Sequence, residues 1–419
     1  MGSGIFLTPG TIADRLPHPG LILSVWVVGG LLSFLGALAN AELGAMYPHA
    51  GGDYVYLRKA FHPIAGFLVG WLTFFAIFAG TVATLAVGFA GGLSALLGLG
   101  EGATIAIAIG TVAATSLLNA LSLRAGARLN NITGYVKVLA LLAFAIIAPM
   151  TGKGDVTNLR PLVDGIGEVA TPLAFALALS PVLFSYLGWN SSVYVASEIR
   201  DPHRNVPRSL FLGLAICTGL YLILNTVYLY ALPVAALRSV ENAGEAAAQV
   251  LLGGTGGRLL AGFVLASILG TLNATILVGP RIAYAMSLDG LFLPGVERVH
   301  ASYGTPAVAI FAQALVAVGL ISLLRTFPSA LDFTTFTIVL ATIADTAALY
   351  ALRWREPERP RPYRAWGYPW LPALYLVANV AIAAGLLVGR PLESLVGLAV
   401  LAAGLPFYAL FAWRRRSSD

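Results

Sequence analysis

Apolar stretches long enough to cross a bilayer recur from Leu21 to Trp413, and they leave this chain few ways to fold. A helix of about 20 apolar residues spans the roughly 30 Å of a bilayer's hydrocarbon. Windows of this kind fall near residues 20–47, 63–97, 103–122, 130–151, 169–198, 208–232, 250–288, 306–324, 329–352, 370–389 and 392–413, which makes eleven full crossings. A short piece before them, Gly4 to Ala13, is too brief to cross alone. Windows 63–97 and 250–288 exceed the usual length, which predicts strong tilt or turns continuing outside the membrane. Packing all these segments into one soluble core would require a charged surface, yet only 11% of the 419 residues are charged and 58% are hydrophobic. Soluble domains carry about 25% charged residues. The chain is therefore expected to be all-α, a polytopic membrane protein.

The few charges are placed unevenly. If successive loops alternate sides, one set (57–62, 123–129, 199–208, 289–305, 353–369 and the tail after Trp413) holds 16 of the 25 Lys and Arg residues, and the opposite set holds 7. Cytoplasmic loops are the ones enriched in Lys and Arg, so the first set and the C-terminus are expected to be cytoplasmic, in the cell (inner) membrane. The net charge of +6 is spread over separate loops and forms no stripe, which argues against a nucleic-acid partner. The five histidines (His18, His49, His62, His203 and His300) fall in loops or at span ends without metal-ligand spacing. Cys217 stands alone in an apolar run, so there is no disulfide framework. No pattern calls for a cofactor, a metal or a catalytic residue, and none specifies a partner subunit. The N-terminus shows no basic segment ahead of an apolar stretch, so no cleaved signal is expected.

Two segments break the helical pattern. The chain opens Gly2-Ser3-Gly4-Ile5-Phe6. Two glycines around a serine disfavour helix and allow close approach to the backbone. A helix starting just after them would point its unpaired N–H groups at that spot, where an anion such as a carboxylate is favoured. A flexible tail is the plainer alternative. The second break is Ser180-Pro181-Val182-Leu183-Phe184-Ser185-Tyr186-Leu187-Gly188-Trp189-Asn190, in the middle of window 169–198. Proline inside a helix removes a hydrogen bond, and glycine further on weakens the next turn. Backbone groups freed at membrane depth must be buried or line a cavity, and carbonyls ending a first half-helix suit an ammonium group. A simple proline kink is the competing account. Interrupted segments at corresponding positions of two halves are the mark of inverted-repeat transporters.

Lys137 is deep inside a span, where an ammonium costs at least about 2.5–3.5 kcal/mol unless paired or neutralised. A coupling role, with proton exchange conceivable, competes with snorkelling to the cytoplasmic edge. Glu42 and Asp345 sit near span ends, where capping or pairing with loop arginines is expected, and Asn273 is placed to hydrogen bond between helices.

These residues resemble the amino acid–polyamine–organocation superfamily, and within it the L-type amino-acid transporter-like branch. The matching pieces are Gly2-Ser3-Gly4-Ile5-Phe6, Ala41-Glu42-Leu43-Gly44, Gly51-Gly52-Asp53-Tyr54, Lys137, Phe184 to Asn190, Glu198-Ile199-Arg200-Asp201-Pro202, Arg204-Asn205-Val206-Pro207, the Asn273 stretch and Arg281. The resemblance covers essentially the whole chain. It implies two inverted five-helix repeats plus two extra helices: a first repeat at 1–151, an extracytoplasmic loop at 152–168, a second repeat at 169–352, a basic cytoplasmic loop at 353–369, two further helices at 370–413 and a cytoplasmic tail at 414–419. It implies a substrate site at Gly2, Ser3, Gly4, Ile5, Phe184, Ser185, Tyr186, Leu187, Gly188 and Trp189. There the Gly-Ser-Gly amides would take a carboxylate, carbonyls around Phe184, Ser185 and Leu187 an amino group, and Phe184 would be an aromatic gate. Lys137 matches a lysine that replaces a sodium ion, so sodium dependence is disfavoured.

The expected function is a permease for neutral amino acids in the lipid bilayer, working by exchange or proton symport. Leu187 stands where several relatives have a small residue and cation-accepting ones often an acid, which favours a neutral substrate. A polyamine or other amine metabolite is the alternative within the class. An integral-membrane enzyme would need clustered His, Asp or Glu at depth, and a channel a polar stripe along several helices; a sensor is the remaining class. The first helix looks truncated. Relatives carry a cytoplasmic segment and a half-helix before Gly-Ser-Gly, whereas Met1 alone precedes it here, so the natural protein is expected to begin upstream.

Overall fold

A computed structural model describes residues 4–49, 51–169, 171–194, 196, 199–238, 240–299 and 304–416. Met1, Gly2, Ser3, Glu198 and His300 lie outside the described residues. The first half runs α1 (Gly4–Leu7), α2 (Pro9–Arg15), α3 (Pro19–Met46), α4 (Asp53–Ala60), α5 (Pro63–Leu72), a π-helical stretch (Thr73–Phe78), α6 (Ala79–Leu97), α7 (Glu101–Leu121) and α8 (Leu123–Met150). After a short α9 (Ile166–Val169) come α10 (Pro172–Tyr186), α11 (Ser191–Tyr194), α12 (Pro202–Ala231), α13 (Val234–Leu237), α14 (Ala243–Val278), α15 (Pro280–Leu288), α16 (Ala307–Leu324), α17 (Phe327–Arg355), α18 (Trp370–Gly389) and α19 (Pro391–Arg416).

Among the described residues ten helical segments are long and apolar enough to cross a membrane, and the shorter Pro172–Tyr186 accounts for the remaining window. The protein is an all-α polytopic membrane protein. Proline opens many of its helices, where its missing N–H costs nothing. Side chains complete the caps: His18 Nδ1 accepts from the Gly20 amide at 3.1 Å, and Thr171 Oγ1 from the Ala174 amide at 3.0 Å. The two overlong windows are interrupted rather than straight. The first contains the π-helical stretch, and the second bends at Gly253 (φ +81°) and again before Pro280.

Burial sorts the helices. The apolar window of Pro63–Leu97 is 83% buried, against 17% for Arg124–Met150 and for Pro391–Arg414, so the first runs through the centre and the other two are the least enclosed spans. Polar side chains join the bundle from inside. Asn119 of α7 donates to Asn273 of α14 at 2.8 Å, and Asn273 donates to the Gly126 carbonyl of α8 at 2.9 Å, which is the interhelical role expected of Asn273. Such bonds contribute about 0.6 kcal/mol each in membranes.

Glu42 is fully buried and takes the Arg353 guanidinium at 2.9 and 2.6 Å, Arg361 at 3.2 Å and the Ala365 amide at 2.7 Å. It pairs with the basic loop, as its position suggests. Beside it Tyr47 Oη donates to Glu356 at 2.9 Å. Burial, and then this bond, push the Tyr47 phenol up to about 12. Partial burial alone would raise Glu356, but bonds from Arg359 and Tyr47 outweigh it and hold the carboxyl below its ordinary range.

Candidate functional site

The central break falls where proline, glycine and asparagine cluster. α10 carries Pro181 inside it and ends at Tyr186; Leu187 leaves the helix with ψ 143°, and Gly188 comes next with φ +94°. That φ suits glycine, which lacks the Cβ that penalises the left-handed region. The chain then turns through Trp189 and Asn190 into α11.

The start of α1 lies against the end of α10. A β-carbon added at Gly4 would come within 2.9 Å of the Ser185 Cα, a contact that only a glycine avoids. Thr8 stitches the two segments: its hydroxyl donates to the Gly4 carbonyl at 2.8 Å and lies 3.1 Å from Ser185 Oγ. Ser185 Oγ donates to the Pro181 carbonyl at 2.8 Å, and the Ser185 carbonyl accepts from Tyr221 Oη at 2.9 Å. Two carbonyls at the break therefore already hold hydrogen bonds, since Phe184 O accepts from the Leu187 amide at 3.1 Å.

A chamber of about 640 Å³ opens beside this junction. Gly4, Phe184, Leu187, Gly188 and Lys137 line it. Lys137 is 8% exposed and donates to Thr271 Oγ1 of α14 at 2.6 Å, so it faces the chamber from α8 and is not spread along the membrane edge. Ile5, Ser185, Tyr186 and Trp189 stand behind the wall: Ile5 and Ser185 are fully buried, and Tyr186 Oη donates to the Trp26 carbonyl at 3.3 Å. The wall also holds residues that sequence reasoning passes over, among them Thr81, Asn130, Asn131, Thr271 and Thr342. Single hydroxyls and amides inside apolar spans look like interhelical glue until a cavity shows what they face.

The chamber is asymmetric. Its lining continues through Asn131, Gly188 and Tyr194 toward the end of the bundle that carries the C-terminus, and Asn131 and Gly188 are exposed there. One turn before Phe184 on α10, Ser180 belongs to a polar cluster beyond the chamber's lining. Arg15 of α2 meets Asp332 of α17 at 2.9 Å and also donates to the Leu177 carbonyl of α10. Ser180 donates to Asp332 at 2.6 Å, and Arg390 reaches the same carboxylate at 3.1 Å. Below this cluster Phe184 meets Phe327 edge-on at 6.3 Å between centroids.

Asp345 departs from its expected role. Its side chain is fully buried on α17, and among the described residues neither of its oxygens has a hydrogen-bond partner and no loop arginine reaches it. The loop arginines go to Glu42 instead, Arg353 from about two turns further along α17 and Arg361 from beyond its end. Among the described residues no group of His, Cys, Asp and Glu has the makings of a metal site.

Sequence comparison places this geometry among known proteins. A model of the amino acid permease family matches residues 1–404. The chain is 29% identical over 413 residues to the serine/threonine exchanger SteT of Bacillus subtilis (strain 168), covering 97% of this chain and 92% of that protein. It is 28% identical over 422 residues to the large neutral amino acids transporter small subunit 2 of Homo sapiens, covering 98% and 77%. It is 27% identical over 426 residues to the b(0,+)-type amino acid transporter 1 of Mus musculus, covering 99% and 85%.

Proposed function

Because this chain belongs to the amino acid permease family, we propose that it carries neutral amino acids across the cell membrane without sodium, by exchange or proton symport. The observation that carries this reading is the junction of Gly4 with the Phe184–Gly188 break, open on a chamber of about 640 Å³. That volume lies in the range of about 300–1,000 Å³ usual for small-molecule sites.

The first N–H groups of α1, with Gly2 and Ser3 before them, take the substrate carboxylate. Carbonyl lone pairs at Phe184, Ser185 and Leu187 take the ammonium. Phe184 covers the bound solute, and the Lys137 ammonium occupies the place a coupling ion would need. Leu187 puts an apolar side chain at the break, and a neutral substrate side chain suits it. The names of the relatives, which include a serine/threonine exchanger and a large neutral amino acid transporter subunit, support the same class.

The chamber reaches toward the end that carries the C-terminus and is barred at the other by Arg15, Asp332 and Arg390. Taking the Arg-rich side as cytoplasmic, this is an inward-facing arrangement. Residues 1–151 and 169–352 form the two inverted repeats, each contributing one broken segment to the junction. The test is uptake and counterflow in proteoliposomes with a panel of labelled amino acids. Saturable exchange of neutral amino acids, unchanged when choline replaces sodium, is the expected result. Arginine or a polyamine displacing label as well as alanine or leucine would overturn the substrate class.

A further inference from the structure

Arg208 and Arg364 carry charge at one end of the bundle without a counterion. Arg208 lies on α12, one turn after Arg204, and both are exposed. Arg364 lies in the loop between α17 and α18 and is exposed as well. Among the described residues no carboxylate or carbonyl takes any of these three guanidinium groups, whereas Arg353, Arg359 and Arg361 are paired with Glu42 or Glu356. Residues 199–211 hold three arginines against one acid, Asp201, and residues 360–370 hold two arginines and no acid.

The two arginines border one aromatic stack. Phe211, three residues after Arg208, meets Trp366 with ring centroids 6.0 Å apart and planes 9° from parallel, and it meets Tyr363 at 5.6 Å. Arg364 sits between those two aromatic residues in the chain. The next residue, Ala365, is buried with its amide on Glu42 at 2.7 Å, so this stretch of the loop is held against the bundle. Trp366 stays 63% exposed and Trp370 79%. Amphipathic rings of this kind collect at the boundary of membrane and water. Past the arginines α12 continues with an exposed apolar face. Leu212, Ile216 and Gly219 follow Arg208 at spacings of four, four and three residues, which puts them on one side of the helix. A β-carbon at Gly219 would meet nothing within 4 Å. Arg208 and Gly219 are about 16 Å apart along the axis at 1.5 Å per residue, close to half of the roughly 30 Å of a bilayer's hydrocarbon.

We propose that Arg208 and Arg364, with Arg204 beside them, bind the phosphate of an anionic phospholipid, and that one acyl chain lies along Leu212, Ile216 and Gly219. A guanidinium fork matches phosphate oxygens, and basic pockets beside spanning helices suit acidic headgroups. The surplus of positive charge favours a net-negative headgroup over a zwitterionic one. A soluble acidic peptide or a free phosphate ester reaches the arginines alone. The apolar face belongs to Pro202–Ala231, a helix long and apolar enough to cross a membrane, and a lipid engages both parts. The bound phosphate draws the start of α12 toward a loop that already grips α3 through Glu42, Arg353 and Arg361. The proposal concerns binding and holds whatever solute the protein carries.

The test is native mass spectrometry of the full chain in mild detergent, given equal amounts of phosphatidylglycerol and phosphatidylcholine with the same acyl chains. An arginine at a membrane surface favours an acidic lipid about fivefold. The wild type should therefore retain phosphatidylglycerol at least about tenfold over phosphatidylcholine, and Arg208→Ala with Arg364→Ala should bring that ratio to about two or less. Arg124→Ala with Arg128→Ala is the matched control. It removes two exposed arginines one turn apart at the start of α8, also unpaired among the described residues, and should leave the ratio within about twofold of the wild type. If the first double variant is not recovered, Arg364→Ala alone should lower the ratio about fivefold. No preference in the wild type, or an equal loss in both double variants, reduces the arginines to general surface charge and overturns the site. Displacement of the lipid by glycerol 3-phosphate would make a soluble phosphate the occupant. A dimer in the same spectra that vanishes in Arg208→Ala with Arg364→Ala would make it a second copy of the chain. Either result overturns the lipid.

Discussion

The Arg15 guanidinium lies 2.9 Å from the Asp332 carboxylate, and this pair ties α2 to α17 at the end of the bundle taken as closed in the proposed inward-facing arrangement. Asp332 is fully buried at its side chain and collects Arg390 and Ser180 as well, so two guanidinium groups meet its charge and a hydroxyl donates to it. Such a cluster differs from a surface ion pair, which contributes little. Removing one partner of a buried pair costs about 3–5 kcal/mol, because the other is left uncompensated. Asp332→Asn strands two arginines and should weaken closure at this end. In a Cys217→Ser background carrying Leu7→Cys, an impermeant thiol reagent on the outer side should label at least about tenfold faster once Asp332 is replaced, which corresponds to a shift of about 1.4 kcal/mol in the closing equilibrium. Equal labelling rates would mean that Phe184 and Phe327 close this end without the ion pairs.

The contact between Gly4 and Ser185 gives a sharper steric prediction. A methyl group at Gly4 would overlap the Ser185 side chain and backbone, and the junction has no flexible side chain to yield. Gly4→Ala should abolish exchange while leaving the protein inserted, as read by proteoliposome counterflow and by size-exclusion profile. Gly91→Ala is the matched control. A β-carbon there meets nothing within 4 Å, and alanine is favoured over glycine inside a helix by about 1 kcal/mol. Normal exchange in Gly4→Ala would show that the junction has room to spare.

The crossings and the central break are legible in the sequence because both are local signals. Apolar runs of sufficient length announce spans, and Pro181 with Gly188 announces the interruption. Lys137 stands out because an ammonium at depth is costly wherever it points. The rest of the chamber is hidden. Thr271 and Asn130 are ordinary helix residues until α14 and α8 are docked, and only then do they share a wall with Gly4. Asp345 misleads for the same reason. Its place near a span end suggests pairing with loop arginines, yet Arg353 turns to Glu42 of α3 and leaves Asp345 buried and, among the described residues, without a hydrogen-bond partner.

Lys137 provides a test of coupling. Its ammonium donates to Thr271 Oγ1 at 2.6 Å, which joins α8 to α14 beside the chamber. Lys137→Ala should reduce exchange by at least about tenfold, a loss of about 1.4 kcal/mol or more in transition-state terms, with normal membrane insertion. Exchange in the parent should not change when choline replaces sodium. Thr271→Val separates two contributions, since it removes the hydrogen bond but keeps the charge. A milder loss in Thr271→Val than in Lys137→Ala would assign the role to the ammonium itself, whereas normal kinetics in Lys137→Ala would reduce Lys137 to a structural residue.

Leu187 carries the proposed charge preference of the site. It leaves α10 at the break with ψ 143°, and its side chain lines the chamber next to Gly188. An apolar side chain there offers no countercharge, so a cationic solute would surrender its hydration without compensation. Leu187→Asp places a carboxylate at the same point, where charge attraction in a partly desolvated site acts strongly on a substrate ammonium or guanidinium. In competition assays against labelled L-serine, arginine should displace label poorly in the parent. In Leu187→Asp it should gain at least about tenfold over leucine, which is about 1.4 kcal/mol of discrimination. The change removes a leucine, so leucine affinity should fall in the same variant as the apolar contact is lost, by about 1 kcal/mol or more. An unchanged ratio of arginine to leucine displacement would show that the substrate side chain points away from Leu187, toward the Thr271 and Asn130 side of the chamber.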